Sequence, residues 1–202
     1  DTGQIFYHGG GTTGINRHLF VQRLQHGNGV VGGVNSLGAV SASSAKNITV
    51  PAFTASSLTQ LSGTGITNLN GLVTTTGKVD LTGTAFAVSS GINAGGYVAF
   101  VNSGLLTTTS NITTGAAGFR QSGSGLNSIG GNITTASGDI GFLTGVTLTT
   151  DVLLTSGAGG TGNTTLSSTV NGAKSLVINT GGTTTFGGLV GGTSALTSIT
   201  TD

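Results

Sequence analysis

Five carboxylates, three imidazoles and six cations are all that this 202-residue chain offers to ionic or metal chemistry. The carboxylates are Asp1, Asp80, Asp139, Asp151 and Asp202, and there is no Glu. Cleaving a glycan takes a pair of carboxyl groups within about 10 Å of each other, or cations gathered in a groove. Asp1 and Asp202 are terminal, and Asp80 and Asp139 stand 59 positions apart. The imidazoles His8, His18 and His26 have spacings of 10 and 8, which match no compact metal-ligand motif. Together with Arg17 and Arg23 they read instead as a contact surface or an end cap. "GAGGTGNTT" lacks the Asp of a calcium-binding repeat, and "GGGTTG" lacks the lysine of a phosphate loop. The residues therefore predict no catalytic site, no metal site, no cofactor and no enzyme.

A further set of polar residues recurs. "NIT" occurs at Asn47, Asn111 and Asn132, the last two extended to Asn-Ile-Thr-Thr. These asparagines, and Asn163, satisfy the acceptor pattern for N-glycosylation, but such matches arise often by chance in a Thr-rich chain. The structural reading puts Asn at a turn, where it tolerates a left-handed backbone, with Ile inward and Thr facing water or another Thr. Stacked Asn47, Asn111 and Asn132 would then form a side-chain amide ladder along the turns.

What positions such residues follows from composition. Gly supplies 39 residues, Thr 37 and Ser 21, nearly half the chain. Only 5% of residues are charged, against roughly a quarter in ordinary soluble domains. Low charge with much Gly and Ser would suit a disordered chain, but Val, Ile and Leu contribute 46 residues in short alternating runs. Thr, Val and Ile fit a pleated surface and Gly marks turns, so the chain reads as all-β. A net charge of +1 without a basic cluster leaves no footprint for nucleic acid, and no apolar run reaches the roughly 20 residues of a membrane span. The chain begins at Asp1 without an initiator Met, as expected of a processed or excised segment.

Repetition selects the architecture. Asn111 and Asn132 are 21 residues apart, and Asn47 precedes Asn111 by 64. "LSGT" at Leu61 and "LTGT" at Leu81 are 20 apart, with "LTGV" at Leu143 a further 62 along. A period of about 20 without helical segments predicts a parallel β-helix, a β-solenoid in which each coil buries its inward face only against its neighbours. About ten coils at ~4.8 Å would give a rod some 50 Å long. On that period Asp80 and Asp139 fall three coils apart, about 14 Å, too far to act as a pair. The "TTT" words at residues 74–76, 107–109 and 183–185 fall off the period and predict no aligned Thr row of the kind that orders water at a flat face.

Residues 1–34 differ from residues 35–202. "NRHLFVQRLQHG" fits a short cap helix, with Asn16 as N-cap and Phe20, Val21 and Leu24 on one face, and fits a strand equally well. The first segment is expected to cap or join, and the second to form the solenoid.

The runs "NGLVTTTG", "SSTVNGAKSL" and "GGLVGGTSALTS" within residues 35–202 resemble the β-strand repeats of very large bacterial surface proteins, similar in kind to filamentous-haemagglutinin adhesins. The resemblance implies a right-handed parallel β-helix that is secreted and serves as shaft, adhesin or matrix at the bacterial cell surface or outside it. The expectation is a structural module or filament subunit whose open coil edges join head to tail, with His8, Arg17, His18, Arg23 and His26 at the joint. The alternative is a carbohydrate-binding or carbohydrate-cleaving β-helix acting on a surface polysaccharide, for which Tyr97 beside Asp80 or Asp139 in one cleft would be the mark.

Overall fold

Alternating apolar and polar residues in runs of three to six, cut by Gly, Asn and Ser, permit only short strands. The computed structural model describes residues 30–33, 35–157 and 160–202, together with the backbone of Leu19–Phe20. All regular elements among them are strands, and all pairings are parallel. The chain winds as a β-solenoid of three walls and about eight coils. At ~4.8 Å per coil the described shaft is about 38 Å long.

The first wall stacks Val79–Gly83, Val98–Asn102, Phe119–Ser122, Ile140–Phe142, Thr164–Leu166 and Thr184–Phe186. The second stacks Ile48–Val50, Ile66–Leu69, Ala85–Val88, Leu106–Thr108, Asn127–Ile129, Val146–Leu148 and Val170–Asn171. The third stacks Val73–Thr75, Ile92–Ala94, Ile112–Thr114, Ile133–Thr135, Val152–Ser156, Ser175–Thr180 and Ser198–Thr201. Two longer strands, Leu37–Ala42 and Phe53–Gln60, bend round the corner between the third and first walls and join them into one sheet.

The step from one coil to the next runs from 18 residues, Leu37 to Ala55, to 24, Ile140 to Thr164. In the 24-residue coil all three walls shift together, since Val146 pairs with Val170 and Val152 with Leu176. The extra residues are therefore taken up at corners and the ladders keep their register.

Inward side chains make one continuous core. Phe86, Phe100, Phe119 and Phe142 follow one another along the axis with ring centroids 5.3, 6.2 and 5.1 Å apart, tilted as aromatic quadrupoles prefer. The corner between the third and first walls is filled differently. Ala55, Thr75, Ala94, Thr114, Thr135 and Ser156 are buried there, and the hydroxyls of Thr75, Thr114, Thr135 and Ser156 donate to the carbonyls of Gly77, Gly115, Gly138 and Gly162. Thr in this chain thus has two roles. In Asn-Ile-Thr-Thr the first Thr faces outward, as expected, but Thr114 and Thr135 point in, because a tight corner leaves carbonyls that a buried hydroxyl satisfies. The corners are also where backbones approach most closely: a Cβ on Gly115 would strike the carbonyl oxygen of Gly95.

Gln121 stands between Phe100 and Phe142 in the first-wall ladder, at a buried position beside the ring series. Its amide donates to Asn102 Oδ1 at 2.7 Å, and its oxygen accepts from Asn127 and Thr144, so the group is tied across three coils.

At the N-terminal side, Val31 pairs with Phe53, and Leu19–Phe20 pairs in parallel with Val40–Ser41. The helix reading of residues 16–27 gives way at Leu19–Phe20, where the free edge of Leu37–Ala42 offers strand pairing. The remainder of that stretch, with His8, Arg17, His18, Arg23 and His26, lies outside the described residues.

Candidate functional site

Asn and Asp stand repeatedly at one place in the coil, immediately before the first inward residue of a strand. There the side-chain oxygen accepts the backbone N–H of the equivalent residue one coil on. Asn47 accepts from Ile66 at 3.0 Å, Asn111 from Asn132 and Asn132 from Leu153 at 2.9 Å. Asp139 accepts from Asn163 at 2.7 Å, Asp151 from Ser175 and Asn163 from Thr183 at 2.8 Å. Asp202 makes the bond in the other direction, to Thr180 N at 2.8 Å. A short side chain with one acceptor oxygen is all the position requires, so Asn and Asp serve alike. Three of the five carboxylates weighed for chemistry are thereby engaged in holding coil to coil. The expected ladder of amides differs in two respects: the partners are backbone N–H groups, and Asn47 heads a second-wall strand while Asn111 and Asn132 head third-wall strands, so the three share no single row.

Ionic side chains gather once among the described residues, on the outside of the first wall. Lys78 Nζ donates to Asp80 Oδ2 at 3.1 Å, and the Tyr97 hydroxyl donates to the same oxygen at 2.7 Å. The Arg120 guanidinium carbon lies 4.5 Å from the Tyr97 ring centroid and Lys78 Nζ 5.7 Å from it. Partial burial works to raise the Asp80 carboxyl, but the hydrogen bonds from Tyr97 and Lys78 and the charges of Lys78 and Arg120 outweigh it and hold its pKa below the usual value. The hydrogen bond to Asp80 raises Lys78 above the ordinary lysine value, against a smaller opposing effect of burial. Tyr97 is thus beside Asp80, as the carbohydrate alternative required, but on an open wall, with two cations over its ring. Asp139 heads Ile140–Phe142, three coils from Asp80 along the ladder Val79, Val98, Phe119, Ile140, as the period predicted. Spacing alone did not reveal the cluster: Tyr97, Lys78 and Arg120 converge because 19- and 21-residue steps set Val79, Val98 and Phe119 side by side.

The third wall carries a feature that the "TTT" words hid. Those words fall on three different walls, yet Thr54, Thr74, Asn93, Thr113, Thr134 and Thr155 pair in sequence as one outward column. The expectation of no aligned Thr row is corrected accordingly; the row is assembled from separate words brought into register by coil steps of unequal length. Apolar side chains at Leu61, Val101, Leu105, Leu126 and Leu143 are exposed along the corner between the first and second walls. Val101 also lines a shallow groove of about 320 Å³, with Thr82, Gly83, Asn102, Ser103 and Gly123 among others.

No group of three or more metal-ligating side chains converges among the described residues, and none of them forms a helix long and apolar enough to cross a membrane. No family model, no curated protein and no solved structure matches the chain.

Proposed function

We propose that the protein is a structural module: the β-solenoid shaft of a secreted bacterial surface protein, or the subunit of an extracellular filament, and not an enzyme. The observation that carries this reading is the use made of its polar side chains. Asp139, Asp151, Asp202 and the recurrent Asn residues bond backbone to backbone along the axis, and the buried Thr hydroxyls close corners. Side chains that could do chemistry are thus committed to rigidity along one direction. The extracellular, bacterial assignment rests on the resemblance of the repeats to filamentous-haemagglutinin adhesins, and association is expected along the axis, where strand edges end. Electron microscopy of the native material with mass measurement of its chain tests this. Rods or fibres built from a chain of about this size, 19.5 kDa, support it, and compact particles with hydrolase activity overturn it.

A second reading, binding of a surface polysaccharide, is favoured by the Lys78, Asp80, Tyr97 and Arg120 cluster, whose Arg120 is exposed. Binding of acidic glycans that is lost in Arg120→Ala supports that reading; unchanged binding removes it.

A further inference from the structure

We propose that the first wall binds a uronic-acid oligosaccharide, with a sugar carboxylate held by Arg120 and the adjoining ring seated in the groove at the far ends of the same strands. The inference rests on the polysaccharide-binding reading and deepens it: it names the acidic group, the surface that takes the rest of the ligand, and the direction in which the ligand lies.

Arg120 supplies the anion-binding half. Lys78 and Asp80 form the one ion pair among the described residues, and the Tyr97 hydroxyl also donates to Asp80, so that carboxylate is already matched. Asp139, at the head of the next coil's strand, accepts from Asn163 N and forms no ion pair. Arg120 is left exposed and without a carboxylate, its guanidinium stacked 4.5 Å from the Tyr97 ring centroid. Its neighbours in the outward column are Ala99 and Gly141, and a Cβ added at Gly141 would meet nothing within 4 Å. The fork therefore stands over a floor with almost no side chains. A planar guanidinium so placed takes a planar carboxylate through two parallel N–H···O bonds. One unmatched cation suits one carboxylate, whereas a densely sulfated ligand is drawn to many cations gathered together.

The groove supplies the other half. Two residues further along the three strands, about 6.6 Å, Asp80, Ala99 and Arg120 give way to Thr82, Val101 and Ser122. There the wall ends in the groove of about 320 Å³, a volume at the lower end of small-molecule sites. It is open because Gly83 and Gly123 have no side chain and Asn102 between them turns inward, to the Gly104 carbonyl and to Gln121. The opening is fixed by the backbone: Gly123 has a φ of +96°, and a Cβ there would strike the Asn102 carbonyl oxygen. No charged side chain lines the groove. The Ser62 hydroxyl is bonded to the Ser43 carbonyl, but those of Thr82, Ser103 and Ser124 bond to no described residue. With Val101, 37% exposed, they set free hydroxyls beside a small apolar surface, as the edge and face of a sugar ring require. The ligand thus lies along the strands, across the rod, with its acid at Arg120 and an uncharged part in the groove.

Calorimetric titration of the 202-residue chain with tri-galacturonate, maltotriose and sucrose octasulfate tests the proposal. Tri-galacturonate is expected to bind at least 10-fold more tightly than either of the others. Arg120→Ala should weaken it at least 10-fold, and Arg120→Lys should recover only part of the loss, since the charge returns without the fork. Ser103→Trp, an exposed position that fills the groove, should also weaken it at least 10-fold, while Thr147→Trp on the second wall binds unchanged. Amide shifts in the unaltered chain give a readout that needs no variant: Ala99, Gly141, Ser103 and Ser124 are expected to move together with a single Kd. Binding lost in Arg120→Ala but kept in Ser103→Trp, with the Ser103 and Ser124 amides unmoved, overturns this inference and leaves the polysaccharide reading standing. Tighter binding of maltotriose or sucrose octasulfate has the same meaning. Failure of all three to bind overturns both and leaves the structural module.

Discussion

The middle coils and the last coil are built from the same columns of residues, yet they differ in what those residues experience. Phe100 lies in the column that ends at Phe186, and it packs between Phe86 and Phe119, whereas Phe186 has a coil on one side only. The difference teaches that burial in this molecule belongs to the neighbouring coil and not to the residue. Stability is then a sum of coil-to-coil contacts, and position along the axis decides what a substitution costs.

The contrast is broken most strongly by truncating aromatic side chains. Phe100→Ala should lose about 3–5 kcal/mol, the usual cost of removing a buried Phe, and Phe186→Ala about a third of that. Urea unfolding of the two variants measures both, and equal losses would show that the end is sealed in solution. A smaller effect, about 1–3 kcal/mol, is expected for Gly115→Ala, where the added methyl meets the Gly95 carbonyl at a corner. Gly141→Ala, on the open outer wall with nothing within 4 Å, should stay within about 0.5 kcal/mol, so the pair separates corner from wall.

Next in size is the coil-to-coil acceptor. Asn132→Ala removes the partner of Leu153 N and should cost about 1 kcal/mol, and Asn132→Asp should restore most of it because Asp139 and Asp151 do the same work. Thermal melts that rank Asp with Ala would contradict this account of the position.

The smallest effect is ionic. The folded pKa of Asp80 is lowered, so its contribution is present above the ordinary value near 3.8 and is lost as pH falls through the lowered one. The folded pKa of Lys78 is raised, so its contribution is present below 10.5 and is lost as pH rises through the raised value. Both side chains are partly exposed, 26% for Asp80 and 40% for Lys78, which limits the pair to under about 1 kcal/mol. The stability difference between wild type and Asp80→Asn, followed against pH, should be flat near neutrality and shrink at the acid extreme, where Asp80 is protonated, and at the alkaline extreme, where Lys78 loses its charge.

The architecture was legible because one repeated phrase was in true register: Ile112 pairs with Ile133, so Asn111 and Asn132 do stand one coil apart. The other phrases were less faithful. Leu61 and Leu143 are exposed and Leu81 is buried, because Gln60 is the residue that pairs with Leu81. Their spacing came close to the coil length while being one residue out of phase, and in a pleated strand one residue reverses the face. Unequal coil steps blurred the rest. The Thr column and the Lys78, Asp80, Tyr97 and Arg120 cluster depend on which corners hold the added residues, and Gly-rich corners of different length look alike as text. The inward Thr residues escaped for a related reason, since Thr suits both an outer wall and a corner that needs a hydroxyl.

The shared register of the three walls has one more consequence. Val98 and Phe119 occupy the same station on successive coils, so Tyr97 and Gly118 are interchangeable points of departure for the chain. Excising residues 98–118 would join Tyr97 directly to Phe119 and remove one whole turn while leaving the remaining turns in step. A molecule organised in this way keeps count: its span is a whole number of identical increments of ~4.8 Å, and a gene that gains or loses some twenty codons at any corner resets a ruler without redesigning it.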